Sequence, residues 1–308
     1  MKKVLITGTS GFIGSNLLET ISKSKDVEIF TLVRKKSRQY NNVKEYLVDI
    51  TNYEEVKRVF DIEKPDTVIH LAANPIIKPD KDNPNKIWVD NVLGTNNLVN
   101  SCQKGVRFVF ASTITVYGDS KQVCSEYMKC YPTSHYAATK LACEQILQIA
   151  VNNGLDPVIL RICANVGKNS THGVVHDFIR KIKSNPEKLE VLGDYPGSSK
   201  PYLMVEDTVN AIIKACDYQI CSGPLTGPIN TFNITNNNSL NIEQLANSVL
   251  EAMGEKREIV WLGEGANWKG DNKVIHASNY LADKCLNWRP SCNSRNAVYN
   301  GVKSLCQS

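Results

Sequence analysis

Long apolar runs and metal-site spacings are missing from this chain of 308 residues. No stretch reaches the roughly 18 apolar residues that a membrane-spanning helix needs, so we expect no membrane association. The ten cysteines form no Cys-x-x-Cys pair, and no histidines stand at zinc-site spacing. We therefore expect reduced thiols, several of them buried as small apolar side chains, and no bound metal.

The sequence also lacks a strong charge bias and an N-terminal targeting segment. Its net charge is only +5, and its short basic cluster at 34–38 is not the aromatic-interleaved stripe of a nucleic-acid binder. Residues 1–6 lead directly into a strand-like segment, which leaves no room for the apolar region of a signal peptide. We expect a cytoplasmic protein that does not bind nucleic acid.

What is present is an alternation of two apolar patterns over the first half of the chain. Short β-branched runs alternate with amphipathic stretches, which predicts an α/β fold with a doubly wound parallel (Rossmann) sheet and helices on both faces. The strand-like runs are 3–7, 28–33, 67–71, 108–111 and 158–162, and the helical stretches are 14–22, 52–61, 91–104 and 136–151.

A glycine-rich turn joins the first predicted strand to the first predicted helix. It reads Gly8-Thr9-Ser10-Gly11-Phe12-Ile13-Gly14. Gly8 permits the tight turn, Gly11 allows the backbone to approach a pyrophosphate, and Gly14 lets helix and strand pack closely. Phe12 and Ile13 open a helix whose N-terminus offers free N–H groups and a positive dipole end to phosphates. The turn predicts a nicotinamide-dinucleotide site.

The acidic residue that contacts the ribose of NAD is missing from the end of the second predicted strand, which reads Val33-Arg34-Lys35-Lys36. An acid there hydrogen-bonds the 2′-hydroxyl and repels a 2′-phosphate, whereas an arginine pairs with that phosphate. NADP is therefore favoured as the cofactor, with Arg34 as a ligand. NAD stays open, since residues 34–38 could also form a solvated basic loop.

Tyr136 and Lys140 stand four residues apart in a predicted helix, and hence on one face of it. A free tyrosine has a pKa of about 10, which is too high for a base at neutral pH. A neighbouring ammonium group and the positive nicotinamide ring favour the phenolate and lower that pKa. Such a pair alone could be an exposed helix face, but the strand upstream also ends in hydroxyl residues, Ser112 and Thr113.

With these motifs in this order, the chain resembles the extended short-chain dehydrogenases/reductases, the NAD-dependent epimerase/dehydratase group. The resemblance covers essentially the whole chain. Besides the glycine turn, the matching segments are Asp49-Ile50, His70-Leu71-Ala72-Ala73, 113–118, 136–140, 189–194, 202–207 and 268–271.

The resemblance implies a role for each matching residue. Thr113, four residues before Tyr117, hydrogen-bonds the reacting oxygen of the substrate, in preference to Ser112. Tyr136 is the acid/base, and Lys140 lowers its pKa and holds the nicotinamide ribose. The remaining cofactor contacts that it implies are Asp49 and Ile50 at the adenine and Leu71, Ala72 and Ala73 along the dinucleotide.

The family acts on nucleotide-diphosphate sugars, whose diphosphate needs cationic partners. Lys200 and Lys269 stand where relatives commonly have arginines. We expect these two lysines and Tyr202, two residues after Lys200, to bind substrate. Either lysine could instead be a solvated surface charge, and neither offers the bidentate fork of an arginine. Asn165 is expected to replace the substrate-binding asparagine of the family, whose position holds Ala164.

The alternating rhythm breaks in the second half of the chain, where Gly, Asn, Ser and Pro interrupt it repeatedly. We predict a dinucleotide-binding Rossmann domain over 1–163 and a smaller mixed α/β substrate lobe over 164–308, with segments around 201–235 returning to the first domain. Relatives dimerise through helices that match 91–104 and 136–151, so the resemblance implies a homodimer.

Several reactions share this apparatus. A nucleotide-hexose 4-epimerase of the UDP-glucose 4-epimerase type, working through a transient 4-keto sugar, is favoured by 170–174 and 268–271, which resemble epimerase segments. An NADPH-dependent reductase of nucleotide 4-keto-(6-deoxy)hexoses is the alternative, favoured by Arg34.

A 4,6-dehydratase is disfavoured because Ile114 and Thr115 replace the Asp-Glu pair of such relatives. A catalytically silent dinucleotide sensor is the remote alternative, since the catalytic residues are all retained.

Overall fold

Strands and helices alternate through the first half of the chain, as the apolar pattern predicts. The structure is a computed structural model that describes residues 2–36, 40–76, 84–219, 230–263 and 272–307. The strands are β1 (Lys3–Thr7), β2 (Glu28–Val33), β3 (Val43–Leu47), β4 (Thr67–His70), β5 (Arg107–Thr113), β6 (Val123–Cys124), β7 (Asp156–Ile162), β8 (Ala164–Val166), β9 (Lys188–Val191), β10 (Ser199–Lys200), β11 (Tyr202–Met204), β12 (Thr231–Ile234), β13 (Leu240–Asn241), β14 (Glu258–Trp261) and β15 (His276–Ala277).

Helices connect these strands and cover both faces of the main sheet. The α-helices are α1 (Phe12–Ile21), α2 (Tyr53–Glu63), α3 (Pro84–Trp88), α4 (Gly94–Ser101), α5 (His135–Ala150), α6 (Val174–Ser184), α7 (Val205–Cys216), α8 (Ile242–Met253), α9 (Tyr280–Leu286) and α10 (Ser294–Gln307). A π-helical segment, Val89–Leu93, links α3 to α4, and 3₁₀ turns occupy Ile114–Tyr117 and Val151–Asn153. No helix in the described part of the chain is both long and apolar enough to cross a bilayer.

The main sheet has seven parallel strands in the order β12-β7-β5-β4-β1-β2-β3, which confirms the predicted doubly wound Rossmann sheet. From β1 the chain adds β2 and β3 on one side, and then β4, β5, β7 and β12 on the other. The order therefore reverses between β1 and β4. Connections after the two strands diverge there and leave a crevice at their carboxyl ends, where ligands bind in folds of this type.

Both edge strands of the sheet differ from the continuous apolar runs that predict inner strands. β3 is half exposed along its length, with Lys44 exposed, so its sequence carries charged residues. β12 is fully buried but comes from the second half of the chain, and Thr231 lies opposite Ile159 of β7. Neither strand is therefore among the runs named from the sequence.

Alternate residues of the inner strands enter two different apolar cores, one on each face of the sheet. Ile6 of β1 packs in the core that includes Leu17 of α1 and Ile212 of α7. Leu5, its neighbour, packs in the opposite core with Leu147 of α5. Side chains of successive strand residues point to opposite faces, which explains the division.

A third core lies in the second half of the chain, where the sequence predicts a smaller mixed lobe. It joins Phe178 of α6, Leu245 of α8 and Val298 of α10, beside the parallel pair of β9 and β14. A reciprocal capping box starts α8, in which Asn241 accepts from the Gln244 backbone and the Gln244 side chain accepts from Asn241.

Candidate active site

The glycine turn between β1 and α1 is packed so closely that it admits no side chains at two positions. Gly8 has φ +78°, and a Cβ on it would lie 2.5 Å from the backbone nitrogen of Ala72. A Cβ on Gly14 would collide with the carbonyl oxygen of Gly8. Gly11 is exposed and caps α1, whose first residues, Phe12 and Ile13, are half-buried. The first N–H groups of any helix have no partner within that helix, so those at the start of α1 could bind a phosphate.

A buried histidine ties the end of β4 to the glycine turn. His70 is fully buried, with Nδ1 2.6 Å from Thr7 Oγ1 and Nε2 2.9 Å from Thr95 Oγ1. Thr7 Oγ1 also accepts from the backbone N–H of Ala72 at 3.1 Å. Burial lowers the pKa of His70 well below its usual value, so the ring is neutral. The link holds the half-buried segment 71–73, predicted to line the dinucleotide, against the turn.

At the end of β2, a cavity of about 750 Å³ extends from the glycine turn to the basic cluster. Its lining includes Ser10, Arg34 and Lys35. Thr9, also in the lining, is 3% exposed, and its Oγ1 has no hydrogen-bond partner among the described residues. A buried hydroxyl without a partner is costly, which points to a polar ligand in this cavity. Arg38, the last residue of the basic cluster, lies outside the described residues.

The predicted adenine contacts lie at the end of the neighbouring strand, β3. Burial raises the pKa of Asp49, but hydrogen bonds from Thr51 and the charge of Arg34 outweigh it and hold that pKa below its usual value. Ile50 packs against Gly94, whose missing side chain makes room for it. Asn97 donates to the carbonyl oxygen of Ile50 at 3.0 Å, which fixes this loop to α4.

The predicted catalytic residues lie on β5 and α5, which pack against each other. Thr113 ends β5, and its Oγ1 accepts from the backbone N–H of Thr115 at 3.2 Å. Tyr136 and Lys140 lie one turn apart near the start of α5. Lys140 Nζ donates to the carbonyl oxygen of Ala111 at 2.7 Å, which ties the helix to the strand end.

Burial changes the pKa of both helix residues, in opposite directions. It raises the pKa of Tyr136 to about 12. It lowers the pKa of Lys140 to about 8, although the charge of Glu144 raises it. The sequence predicts that an ammonium group and the nicotinamide ring together lower the pKa of Tyr136, whereas the protein's own groups, without that ring, raise it. Desolvation of the phenolate outweighs the attraction of an ammonium whose nitrogen is bonded to Ala111.

Three of the predicted substrate residues lie on short strands of the second half of the chain: Asn165 and Tyr202 on the paired strands β8 and β11, and Lys200 on β10. Asn165 donates to the carbonyl oxygen of Cys163 at 2.9 Å and accepts from Thr208 Oγ1 at 2.6 Å, so its amide holds β8 to α7. Tyr202 is 3% exposed and packs in the third core. Lys200 is half-buried on β10, and Lys269 lies outside the described residues, as does the whole segment 268–271.

An asparagine that the sequence analysis did not single out connects the two sides of the site. Asn91, 2% exposed in the π-helical segment, donates to Thr139 Oγ1 at 2.9 Å and to the carbonyl oxygen of Asn74 at 3.1 Å. Its own Oδ1 accepts from the Asn74 backbone at 2.7 Å. Only the three-dimensional contacts show which groups Asn91 joins.

Comparison with known proteins shows which family the chain belongs to. The model of the NAD dependent epimerase/dehydratase family matches residues 4–222. UDP-glucuronate 4-epimerase of Thermodesulfobacterium geofontis is 28% identical, over 93% of this chain and 90% of that enzyme. dTDP-4-dehydro-6-deoxyglucose reductase of Escherichia coli is 26% identical, over 98% and 97%. The crystal structure of Thermus thermophilus UDP-glucose 4-epimerase in complex with NAD superposes with a TM-score of 0.84 at 27% identity, covering 99% of each chain.

Proposed function

Because this chain belongs to the NAD dependent epimerase/dehydratase family and is an enzyme of nucleotide-sugar chemistry, we propose that it is a nucleotide-hexose 4-epimerase. One observation carries the proposal: Thr113 at the end of β5 and the Tyr136–Lys140 pair on α5 are tied together by the bond from Lys140 to Ala111. With Thr113 bound to the sugar oxygen, Tyr136 can take the proton of a sugar hydroxyl and return it. Full-length similarity to 4-epimerases supports this reaction among those that the family performs.

The described residues fit a nicotinamide dinucleotide. Close packing around Gly8 and Gly14 leaves bare backbone at the helix start, and the unpartnered hydroxyl of Thr9 lies in the adjoining cavity. The glycine turn would hold the pyrophosphate and Lys140 the nicotinamide ribose. When bound, the oxidised nicotinamide supplies the hydride acceptor for C4 of the sugar and a positive charge beside Tyr136.

The chain's own groups divide the acid–base work. Thr113 donates to the reacting oxygen, and the Tyr136 phenolate takes the proton of the 4-hydroxyl as that oxygen becomes a carbonyl. Turning of the keto sugar then presents its other face, and Tyr136 returns the proton to the carbonyl oxygen as C4 regains the hydride from the reduced nicotinamide. For Tyr136 to act near neutral pH, its pKa must fall from about 12. We infer that the positive charge of the Lys140 ammonium contributes to that fall.

Turnover of nucleotide hexoses by the purified protein, together with identification of the cofactor released on denaturation, tests the proposal. We expect interconversion of C4 epimers without added reductant, and Tyr136→Phe to lower kcat about 10²- to 10⁴-fold because the proton acceptor is lost. Tyr127→Phe, at an exposed tyrosine, is the matched control and should keep wild-type kcat. An active Tyr136→Phe variant would contradict the assignment.

The second candidate is an NADPH-dependent reductase of nucleotide 4-keto hexoses. It is favoured by Arg34 in the cavity beside the turn and by full-length similarity to the Escherichia coli reductase. Consumption of NADPH with a 4-keto sugar, without epimer formation, would replace the first proposal by this one.

We further propose that NADP is the preferred cofactor. Arg34 and Lys35 line the cavity with Ser10, and together they offer two charges and a hydroxyl to a 2′-phosphate. Arg34→Leu should weaken NADP⁺ about 10- to 100-fold and leave NAD⁺ unchanged, since one charge-assisted hydrogen bond is lost. Calorimetric titration measures both affinities, with Arg295→Leu on α10 as the control. Equal losses for both cofactors would contradict an NADP site.

We also propose that two chains dimerise through the face formed by α3, the π-helical segment, α4 and α5. Large apolar side chains are exposed there: Trp88, Val89 and Leu93 on α3 and the π-helical segment, and Ile149 on α5. These elements pack side by side in the chain, so the four residues can form one patch of the kind that marks an interface.

A further inference from the structure

A buried ion pair lies directly behind the proposed active site. Glu144 of α5 and Arg161 of β7 are each 3% exposed and form a two-point contact. Arg161 Nε donates to Glu144 Oε1 at 3.1 Å, and Nη2 donates to Oε2 at 2.7 Å. Ser112, also buried, donates to the same Oε1. The carboxylate is thus held by three donors from two strands.

The guanidinium extends this network to the far edge of the sheet. Arg161 Nη1 donates to the hydroxyl of Tyr117 at 2.9 Å, and that hydroxyl donates to Asn233 Oδ1 of β12 at 2.7 Å. Asn233 Nδ2 donates in turn to the carbonyl oxygen of Ser278 at 3.1 Å. The network therefore joins α5, three strands, the 3₁₀ turn after Thr113 and a C-terminal segment.

Two members of this network are next to proposed catalytic residues. Ser112 directly precedes Thr113, and Glu144 lies one turn beyond Lys140 on the same helix. Lys140 and Ala111 make a second tie between the same two elements. Two ties between one strand end and one helix leave little freedom for the distance between the threonine hydroxyl and the tyrosine.

Stability alone does not explain a charge pair at this place. Removing two charges from water costs about as much as their attraction returns, and apolar replacements of the same volume are often as stable. A fully hydrogen-bonded buried network is instead suited to specify one geometry. We propose, on the basis of the proposed function, that Glu144 and Arg161 are positioning residues that hold Thr113 and Lys140 in the arrangement needed for proton transfer at the sugar.

The charge of Glu144 also acts on Lys140. Lys140 is faced by Cys143, Glu144 and Tyr136 on its own helix and by the neutral His70 on β4, with the Phe110 ring 4.6 Å from its nitrogen. Glu144 raises the pKa of Lys140 against burial. Removing the carboxylate should let Lys140 lose its proton at lower pH, whereas removing the guanidinium should do the opposite.

Kinetics of a mild variant and its control test the positioning role. Ser112→Ala removes one hydroxyl from the network, and we expect kcat to fall about 10-fold with KM unchanged, because misplacement affects the chemical step. Ser248→Ala removes an equally buried hydroxyl on α8, bonded to Gln244, and should keep wild-type kcat. Equal kcat in both variants would overturn the proposal.

Titration of Lys140 separates this proposal from the proposed function. In protein carrying ¹³C-labelled lysine, the Lys140 Cε resonance, assigned with Lys140→Arg, reports the ammonium directly and needs no substrate. Glu144→Gln should move its midpoint down by about one pH unit, and Arg161→Gln should move it up. Unchanged midpoints in folded variants would overturn the proposal even if wild type is an epimerase. Shifted midpoints without epimerase activity would leave the network in place and reject only the reaction.

Discussion

His70 shows how burial at a single residue sets a protonation state. The ring bridges Thr7 and Thr95, so both of its nitrogens already have a hydroxyl as hydrogen-bond partner. A second proton on the ring would disturb one of these two hydrogen bonds. The charged form also loses its hydration at this depth, so its pKa falls well below the usual value.

The stability of the protein should therefore depend on pH through His70. The unfolded chain binds a proton on this ring near pH 6.5, whereas the folded protein binds it only at much lower pH. The contribution is complete above pH 6.5 and is lost as pH falls toward the folded pKa, by up to about 1.4 kcal/mol per pH unit. Urea unfolding of wild type and His70→Asn across this pH range measures the free energy of unfolding. A plot of that free energy against pH should have a shallower slope for the variant. His172→Asn, at an exposed histidine, should keep the wild-type slope.

At this scale, the sequence predicts positions better than energies. Spacing alone marks Gly8 and Gly14, because the turn has a fixed geometry and the structure finds both without room for a Cβ. The pKa of Tyr136 could not be predicted in the same way. It depends on how deeply the phenol is buried and on where the Lys140 nitrogen points, and both are set by residues distant in sequence.

Among the elements, inner strands and long helices follow from periodicity, whereas edges and irregular helices do not. β1 and β5 are continuous apolar runs because both of their faces are buried. β3 is half exposed, and β12 is supplied by a distant part of the chain, so no local pattern distinguishes them. The predicted helix at 91–104 is a π-helical segment followed by α4, an irregularity centred on Asn91 that periodicity cannot report.

The junction of β1 and α1 supplies a prediction for these elements. Gly14→Ala would place a methyl group against the carbonyl of Gly8, so helix or turn must shift. We expect a loss of about 1–3 kcal/mol in the free energy of unfolding and at least about a tenfold weaker cofactor affinity. Gly105→Ala is the control: its φ is also positive but its surroundings are open, so cofactor affinity should stay unchanged. Normal binding by Gly14→Ala would contradict the close packing.

For the whole molecule, we propose that residues 1–163 with β12 form the cofactor-binding part and that α6, α8 and α10 form most of the substrate lobe.

The proposed dimer can be tested at the same scale. Val89→Glu with Leu93→Glu should convert a dimer to a monomer, because the patch would bury four carboxylates across a two-fold axis. Light scattering after size exclusion measures the mass. Ile62→Glu, at an exposed apolar residue of α2, should stay dimeric; a monomeric wild type would reject the interface.

The position of β12 in the sheet has a consequence for how the protein is made. While a ribosome is still extending the chain through α6 and α7, β7 is already synthesised but its outer partner is not. The nascent sheet then ends in an apolar strand, Asp156–Ile162, with one row of unpaired N–H and C=O groups. Such an edge readily pairs with other chains, so emerging polypeptides are open to mispairing until residues 231–234 arrive. Slow translation between α7 and β12 should therefore favour aggregation, and chaperones would have to protect this edge during that interval.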